Sequence, residues 1–198
     1  LNGKTKHEIN ILKNEKVIDF QLRKLANLKK KIFLISNKKN LTLKNYLNKK
    51  YNNKLDFEII EESKPLGTAG ALKVLKKYSF KFYLVIDGDL VFNCNLKKLI
   101  LFHKKKKSNC TLVAHPNNHP YDSDILEVDK NDRVKSFYFK PHKKNKIIPN
   151  FCMSGIRIVN KKLLKIVKDN KFQDFSKDFL KKLNLKKNRV FAYNTREY

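Results

Sequence analysis

Cysteine, glycine, acidic residues and long apolar runs are all scarce in this chain, and each shortage narrows what it can be. Its 3 cysteines, Cys94, Cys110 and Cys152, form no C-x-x-C pair, which excludes a disulfide scaffold and the common zinc frameworks. Each stands beside apolar residues and reads as a small core residue in a reducing compartment. His115, His119 and His142 fit no common zinc spacing either. No stretch approaches the roughly 20 apolar residues of a membrane span, and the N-terminus lacks a charged-then-apolar signal layout. The expectation is a cytoplasmic protein without a membrane partner. Acids are outnumbered, 18 Asp+Glu against 46 Lys+Arg, for a formal net charge of +28. The excess is almost all lysine spread over every segment, a bias that fits AT-rich coding. With no aromatic RNP-like strand or basic heptad helix, no nucleic-acid partner is expected. The charge suits anionic substrates.

What is present is a 198-residue chain with 41% hydrophobic residues, enough for one domain with a full core. Periodicity predicts helices over 9–28, 41–47, 67–75, 96–107, 161–168 and 175–183, and strands over 32–36, 57–60, 82–86, 111–114, 125–128, 134–139, 152–159 and 190–193. Asn131-Asp132 between two short strands predicts a hairpin. The alternation implies an α/β fold with a mostly parallel central sheet and a small antiparallel excursion. No repeat or linker interrupts it.

The 5 glycines are placed unevenly. Gly67 and Gly70 fall in Pro65-Leu66-Gly67-Thr68-Ala69-Gly70, and Gly88 falls in Asp87-Gly88-Asp89, directly after the apolar run Phe82-Tyr83-Leu84-Val85-Ile86. A glycine loop opening a helix offers backbone N–H groups to a base or phosphate, and Thr68 can donate or accept one hydrogen bond. Acids at the carboxyl end of a buried strand are where an open α/β sheet holds ligands and Mg²⁺. A plain helix start and a plain turn are the bland alternatives, and the pairing of the two segments favours a nucleotide site.

P-L-G-T-A-G-A-L (65–72), V-I-D-G-D-L (85–90), F-K-P (139–141) and S-G-I-R-I (154–158), in this order, resemble the sugar-1-phosphate nucleotidyltransferase family. The segment H-P-N-N-H-P-Y-D-S-D (115–124) most resembles its mannose- and manno-heptose-1-phosphate guanylyltransferases. The resemblance implies a Rossmann-like α/β/α sandwich and a reaction in which a sugar phosphate oxygen attacks the α-phosphorus of a nucleoside triphosphate, with GTP favoured, releasing pyrophosphate. It places Glu61 (or Glu62), Gly67, Thr68, Gly70 and Asp87 at the nucleotide. Asp89 becomes the catalytic Mg²⁺ ligand, and Lys140 the catalytic residue that grips the sugar phosphate. Asn150, Gly155 and Arg157 line the sugar pocket. Phe139 departs from the acidic residue that many relatives carry before the lysine.

Relatives of this kind begin with a strand and a G-G-x-G-T-R loop, whereas this chain opens at Leu1-Asn2-Gly3-Lys4, which resembles the stretch after it. The last residues, Tyr193-Asn194-Thr195-Arg196-Glu197-Tyr198, resemble the approach to a D-x-G-T-P segment whose aspartate is a second metal ligand. On this reading residues 1–198 are a single truncated domain, a core fragment inactive by itself. Two other readings compete: a nucleotide-sugar glycosyltransferase, whose D-x-D pattern D-G-D satisfies, and a non-catalytic nucleotide or sugar-phosphate binding module. Whether the protein forms a homo-oligomer is left open.

Overall fold

The computed structural model describes residues 9–12, 15–37, 41–142 and 147–195. The expectations about Leu1-Asn2-Gly3-Lys4 and about 196–198 fall outside them. Within the single domain expected over 1–198, the chain gathers into two compact units: the residues up to Leu66 with Gly88–Phe92, and Gly67–Asp87 with the residues from Asn93 onward.

In the first unit, strand β1 (Asn10–Leu12) pairs antiparallel with β2 (Glu15–Lys16), and helix α1 covers Val17–Ala26. Strand β3 (Ile32–Asn37), helix α2 (Leu41–Tyr51) and strand β4 (Phe57–Glu62) follow, with β3 and β4 parallel, as a strand-helix-strand crossover requires. Ile18, Leu22, Ile32, Leu43 and Leu47 form the core. The helix expected over 9–28 is therefore shorter. Lys16 is extended (φ −83°, ψ 159°) and its N–H donates to Asp19 Oδ2 at 3.0 Å, which caps the helix and starts it at Val17. The same carboxylate accepts from the Tyr46 and Tyr51 hydroxyls, both at 2.6 Å, and pairs with Lys50 Nζ at 3.1 Å. Burial opposes its charge, yet these donors hold its carboxyl below the ordinary carboxylate value.

The second unit is built around a mixed sheet in the order β10-β6-β9-β7-β8, with β5 also pairing β9. Its strands are β5 (Phe82–Ile86), β6 (Cys110–His115), β7 (Ile125–Val128), β8 (Val134–Tyr138), β9 (Cys152–Asn160) and β10 (Val190–Asn194). The α/β class is as expected, and the antiparallel share extends beyond the hairpin. Parallel pairing joins β3 to β4 and β10 to β6, while β9, returning after the hairpin, runs antiparallel to β5, β6 and β7. The β7–β8 turn is held by Asp129 Oδ1, which accepts from Asn131 N and Arg133 N at 2.9 Å each, while Asp132 takes φ 67°.

The helical segments vary in pitch. Helix α3 (Gly67–Gly70) is one turn that continues as a 3₁₀ helix over Ala71–Lys77, and Lys161–Ile166 is also 3₁₀. Helix α4 (Leu96–Lys105) is capped by Asn95, whose Oδ1 accepts from Lys98 N at 3.0 Å. Phe175–Phe179 is a π turn followed by a 3₁₀ turn, Leu180–Lys182. Apolar spacing marks the buried face in all of them but does not separate tight from wide turns. The three cysteines are free and buried, and burial pushes the Cys110 thiol up to about 12 against the pull of Arg157. Among the described residues no helix is long and apolar enough to cross a membrane.

Candidate active site

Strand β5 delivers the acidic turn, and β9 receives it. The Asp87 N–H donates to Gly155 O at 2.9 Å. Period-two alternation puts Arg157 on the same side of β9 as Gly155, and its guanidinium holds the Asp87 carboxylate with both ends: Nη2 to Oδ1 at 2.5 Å, Nη1 to Oδ2 at 3.3 Å. Arg157 is 4% exposed and Asp87 32%, so a buried guanidinium grips a half-buried carboxylate at two points. Gly155 is required for it. A Cβ there would lie 2.7 Å from Asp87 Oδ2, whereas a Cβ on Gly88 would meet nothing within 4 Å. The Arg157 guanidinium also lies over the Phe175 ring, 4.2 Å from its centre. The resemblance assigns Gly155 and Arg157 to the sugar; the structure puts both against Asp87.

Phe175 ends a short segment that grips the glycine loop. Gly67 takes φ +78°, and a Cβ there would meet Gln173 O at 2.6 Å. The N–H groups of Ala69 and Gly70 both donate to that same carbonyl, at 2.9 and 3.2 Å. Phe175 N donates to Thr68 Oγ1 at 2.8 Å, and the Thr68 hydroxyl donates to Asp174 Oδ2 at 3.4 Å. Two N–H groups that the sequence offers to a base or phosphate are thus engaged by the protein's own backbone, because Gln173 O lies where such an acceptor would sit. Asp174 in turn caps the π turn by accepting from Ser176 N and Lys177 N at 2.9 and 2.8 Å. The Asp-x-Ser-Lys pattern carries an N-cap signal, but nothing local in the sequence ties Gln173 to Gly67, more than a hundred residues upstream.

Lys140 faces a different environment. It lines an open cleft of about 890 Å³ with Tyr121, Asp122, Pro141, His142 and Lys177. Its backbone N–H donates to Asp124 Oδ1 and its ammonium to Asp122 O, both at 3.1 Å. His142 Nε2 donates to Ser123 O at 2.7 Å, which leaves the ring edge-on to Tyr121 at 6.5 Å. Lys177, which sequence reasoning passed over as one lysine among many, brings a second exposed ammonium to this cleft. Asn150 is occupied elsewhere, its amide exchanging hydrogen bonds with the Asn117 backbone at 3.0 and 2.9 Å. In the first unit, Glu61 stands at the end of β4 and pairs with Lys44 Nζ at 3.0 Å, and Asp89 is exposed on its turn.

The sequence profile described as "Nucleotidyl transferase" matches residues 2–198. The chain belongs to that family. It is 28% identical over 144 residues to a glucose-1-phosphate adenylyltransferase of Clostridium acetobutylicum, covering 67% of this chain and 37% of the relative. It is 32% identical over 128 residues to a mannose-1-phosphate guanyltransferase of Aspergillus fumigatus, covering 62% and 34%. The chain thus spans little more than a third of the length of these curated relatives. Among solved structures, HddC from Yersinia pseudotuberculosis is similar over 98% of this chain and 82% of its own, at 25% identity and a TM-score of 0.77.

Nucleotidyl transferases of the kind resembled use Mg²⁺, and the residues present can be tested for it. Both Asp87 oxygens accept from Arg157, and the carboxylate, 32% exposed, keeps lone pairs as an oxygen donor. Asp89 is an exposed oxygen donor on the same turn. Mg²⁺ keeps several waters and takes one or two carboxylates plus substrate phosphates, a demand that one such aspartate fits. No cluster of three His, Cys, Asp or Glu arranged for a metal occurs among the described residues.

Proposed function

We propose that this chain is the core of a sugar-1-phosphate nucleotidyltransferase, which joins a nucleoside triphosphate to a sugar 1-phosphate and releases pyrophosphate. The observation that carries the reading is the cleft with two exposed ammonium groups, Lys140 and Lys177, in the same compact unit as the family's glycine loop. Cations on flexible stems beside an aromatic ring suit a phosphorylated sugar, with the charge gripping the phosphate and Tyr121 offering a flat face to the ring. Asp89 would hold Mg²⁺, which supplies neutralisation of the phosphate charge. GTP is the favoured nucleotide, on the resemblance of residues 115–124 to guanylyltransferases and the match to a mannose-1-phosphate guanyltransferase. The product would be a GDP-sugar destined for a surface polysaccharide, made in the cytoplasm.

Calorimetric titration of the chain with GTP or ATP in the presence of Mg²⁺ tests the reading. Saturable binding with GTP the tighter ligand is expected. Tighter binding of ATP would redirect the nucleotide assignment, and no binding of either, or of CTP, UTP or dTTP, would end the nucleotidyltransferase reading for this chain.

A further inference from the structure

One short segment about a hundred residues downstream of the glycine loop touches that loop directly and reaches Asp87 through Arg157. Gln173 O accepts from Ala69 N and Gly70 N, Thr68 Oγ1 accepts from Phe175 N, and the Phe175 ring supports the guanidinium that holds Asp87. We infer that Gln173–Phe175 is a positioning strut, with Arg157 as its arm, that couples the Gly67 loop to the carboxylate of Asp87 so that the two are set together.

Each joint is specific. Gly67 must be glycine for Gln173 O to approach, and Gly155 must be glycine for Asp87 to reach Arg157. Phe175 is 1% exposed and stacks on Phe179 at 4.8 Å, so its ring has a fixed place from which to support Arg157. Arg157 Nε, buried and without a hydrogen-bond partner among the described residues, leaves the guanidinium held by Asp87 and by the Phe175 ring. Two contacts of different kinds therefore fix one side chain. A disturbance at Thr68 reaches Phe175 through one hydrogen bond, Arg157 through the ring, and Asp87 through the ion pair. None of these residues needs to touch a substrate for the coupling to hold. The consequence for catalysis, that loop and acidic turn are pre-set in one geometry, rests on the nucleotidyltransferase reading.

Residue-resolved amide hydrogen exchange on the full chain tests the strut without relying on activity. Thr68 is exposed on the single turn of α3, so Thr68→Val removes the acceptor for Phe175 N without opening the core. Exchange is expected to speed up about tenfold at Phe175, Ala69 and Gly70, and by a similar factor at Asp87, whose own N–H bonds to Gly155 O. Thr68→Ser, which keeps the hydroxyl, is expected to restore slow exchange at all four. In the reverse direction, Arg157→Lys is expected to speed exchange at Ala69 and Gly70 as well as at Asp87. Faster exchange confined to the mutated side would overturn the coupling. If the chain binds no nucleotide while the exchange pattern travels as described, the functional reading fails and the strut stands. If it binds nucleotide with exchange changes that stay local, the strut fails and the reading stands.

Discussion

The glycine loop with its acidic partner and the Lys140 cleft are built in opposite ways. Around Gly67, Thr68, Asp87 and Arg157 many polar groups are already matched inside the protein: carbonyl to N–H, hydroxyl to N–H, guanidinium to carboxylate. Around Lys140 the cations line an open cleft of about 890 Å³, and the side chains of Lys140 and His142 donate to backbone carbonyls of Asp122 and Ser123. The first region is a scaffold whose polar groups are matched within the protein, and the second, on the function proposed above, is a receiving surface. Substitutions in the scaffold should therefore be felt first as lost stability, and substitutions in the cleft as lost affinity.

The sharpest way to break that contrast is Gly67→Ala. The position combines φ +78° with a carbonyl 2.6 Å from where the Cβ would stand. Strain and clash together should cost about 2–4 kcal/mol, seen as a lower denaturation midpoint. A neutral result would mean that the loop is not locked. Next is Gly155→Ala, where the obstacle is the Asp87 side chain; a cost of about 1–3 kcal/mol is expected. Gly88→Ala serves as its control, with open space around the new methyl and a change within about 0.5 kcal/mol. Equal costs for the two alanines would contradict the Asp87 packing argument.

The sequence showed these glycines to be special but not why. Their concentration in two segments pointed to a site, and the strands around them were legible because apolar runs bounded by polar turns have few alternatives: β5 and β7 fall where the apolar runs put them. Helix 9–28 was over-read because Asp19 acts as a cap, a role set by its hydrogen bond to Lys16 and not by apolar spacing. Gln173 and Lys177 were missed for a different reason. Their importance is a matter of which distant backbone they meet, and a lysine among 46 basic residues carries no local signal.

A smaller effect lies away from both regions, and serves as a baseline for stability changes in the second unit. His103 is 3% exposed, with Nδ1 2.8 Å from Thr111 Oγ1 and Nε2 3.0 Å from Asn160 Oδ1. Burial lowers its pKa below the ordinary 6.5, against the opposing hydrogen bond to Asn160. Between the lowered folded value and 6.5 the unfolded chain binds the proton better, so this contribution to stability is full above that range and declines as pH falls through it. The melting temperature should drop on acidification from neutral pH, and His103→Gln should flatten that dependence. A stability change as small as that of Gly88→Ala, within about 0.5 kcal/mol, is expected for Lys177→Ala, because its side chain is exposed. A large loss there would mean that the cleft wall is itself structural.

The most direct test of the contrast is the affinity of wild type and Lys140→Ala for mannose 1-phosphate and glucose 1-phosphate, read by calorimetry with the melting temperature of each protein alongside. A receiving surface predicts saturable binding by wild type and a loss of about tenfold or more in Lys140→Ala, a charge-assisted contact's worth, with melting unchanged. Equal binding by both proteins, or no binding by wild type, would contradict the assignment of this cleft to the sugar phosphate.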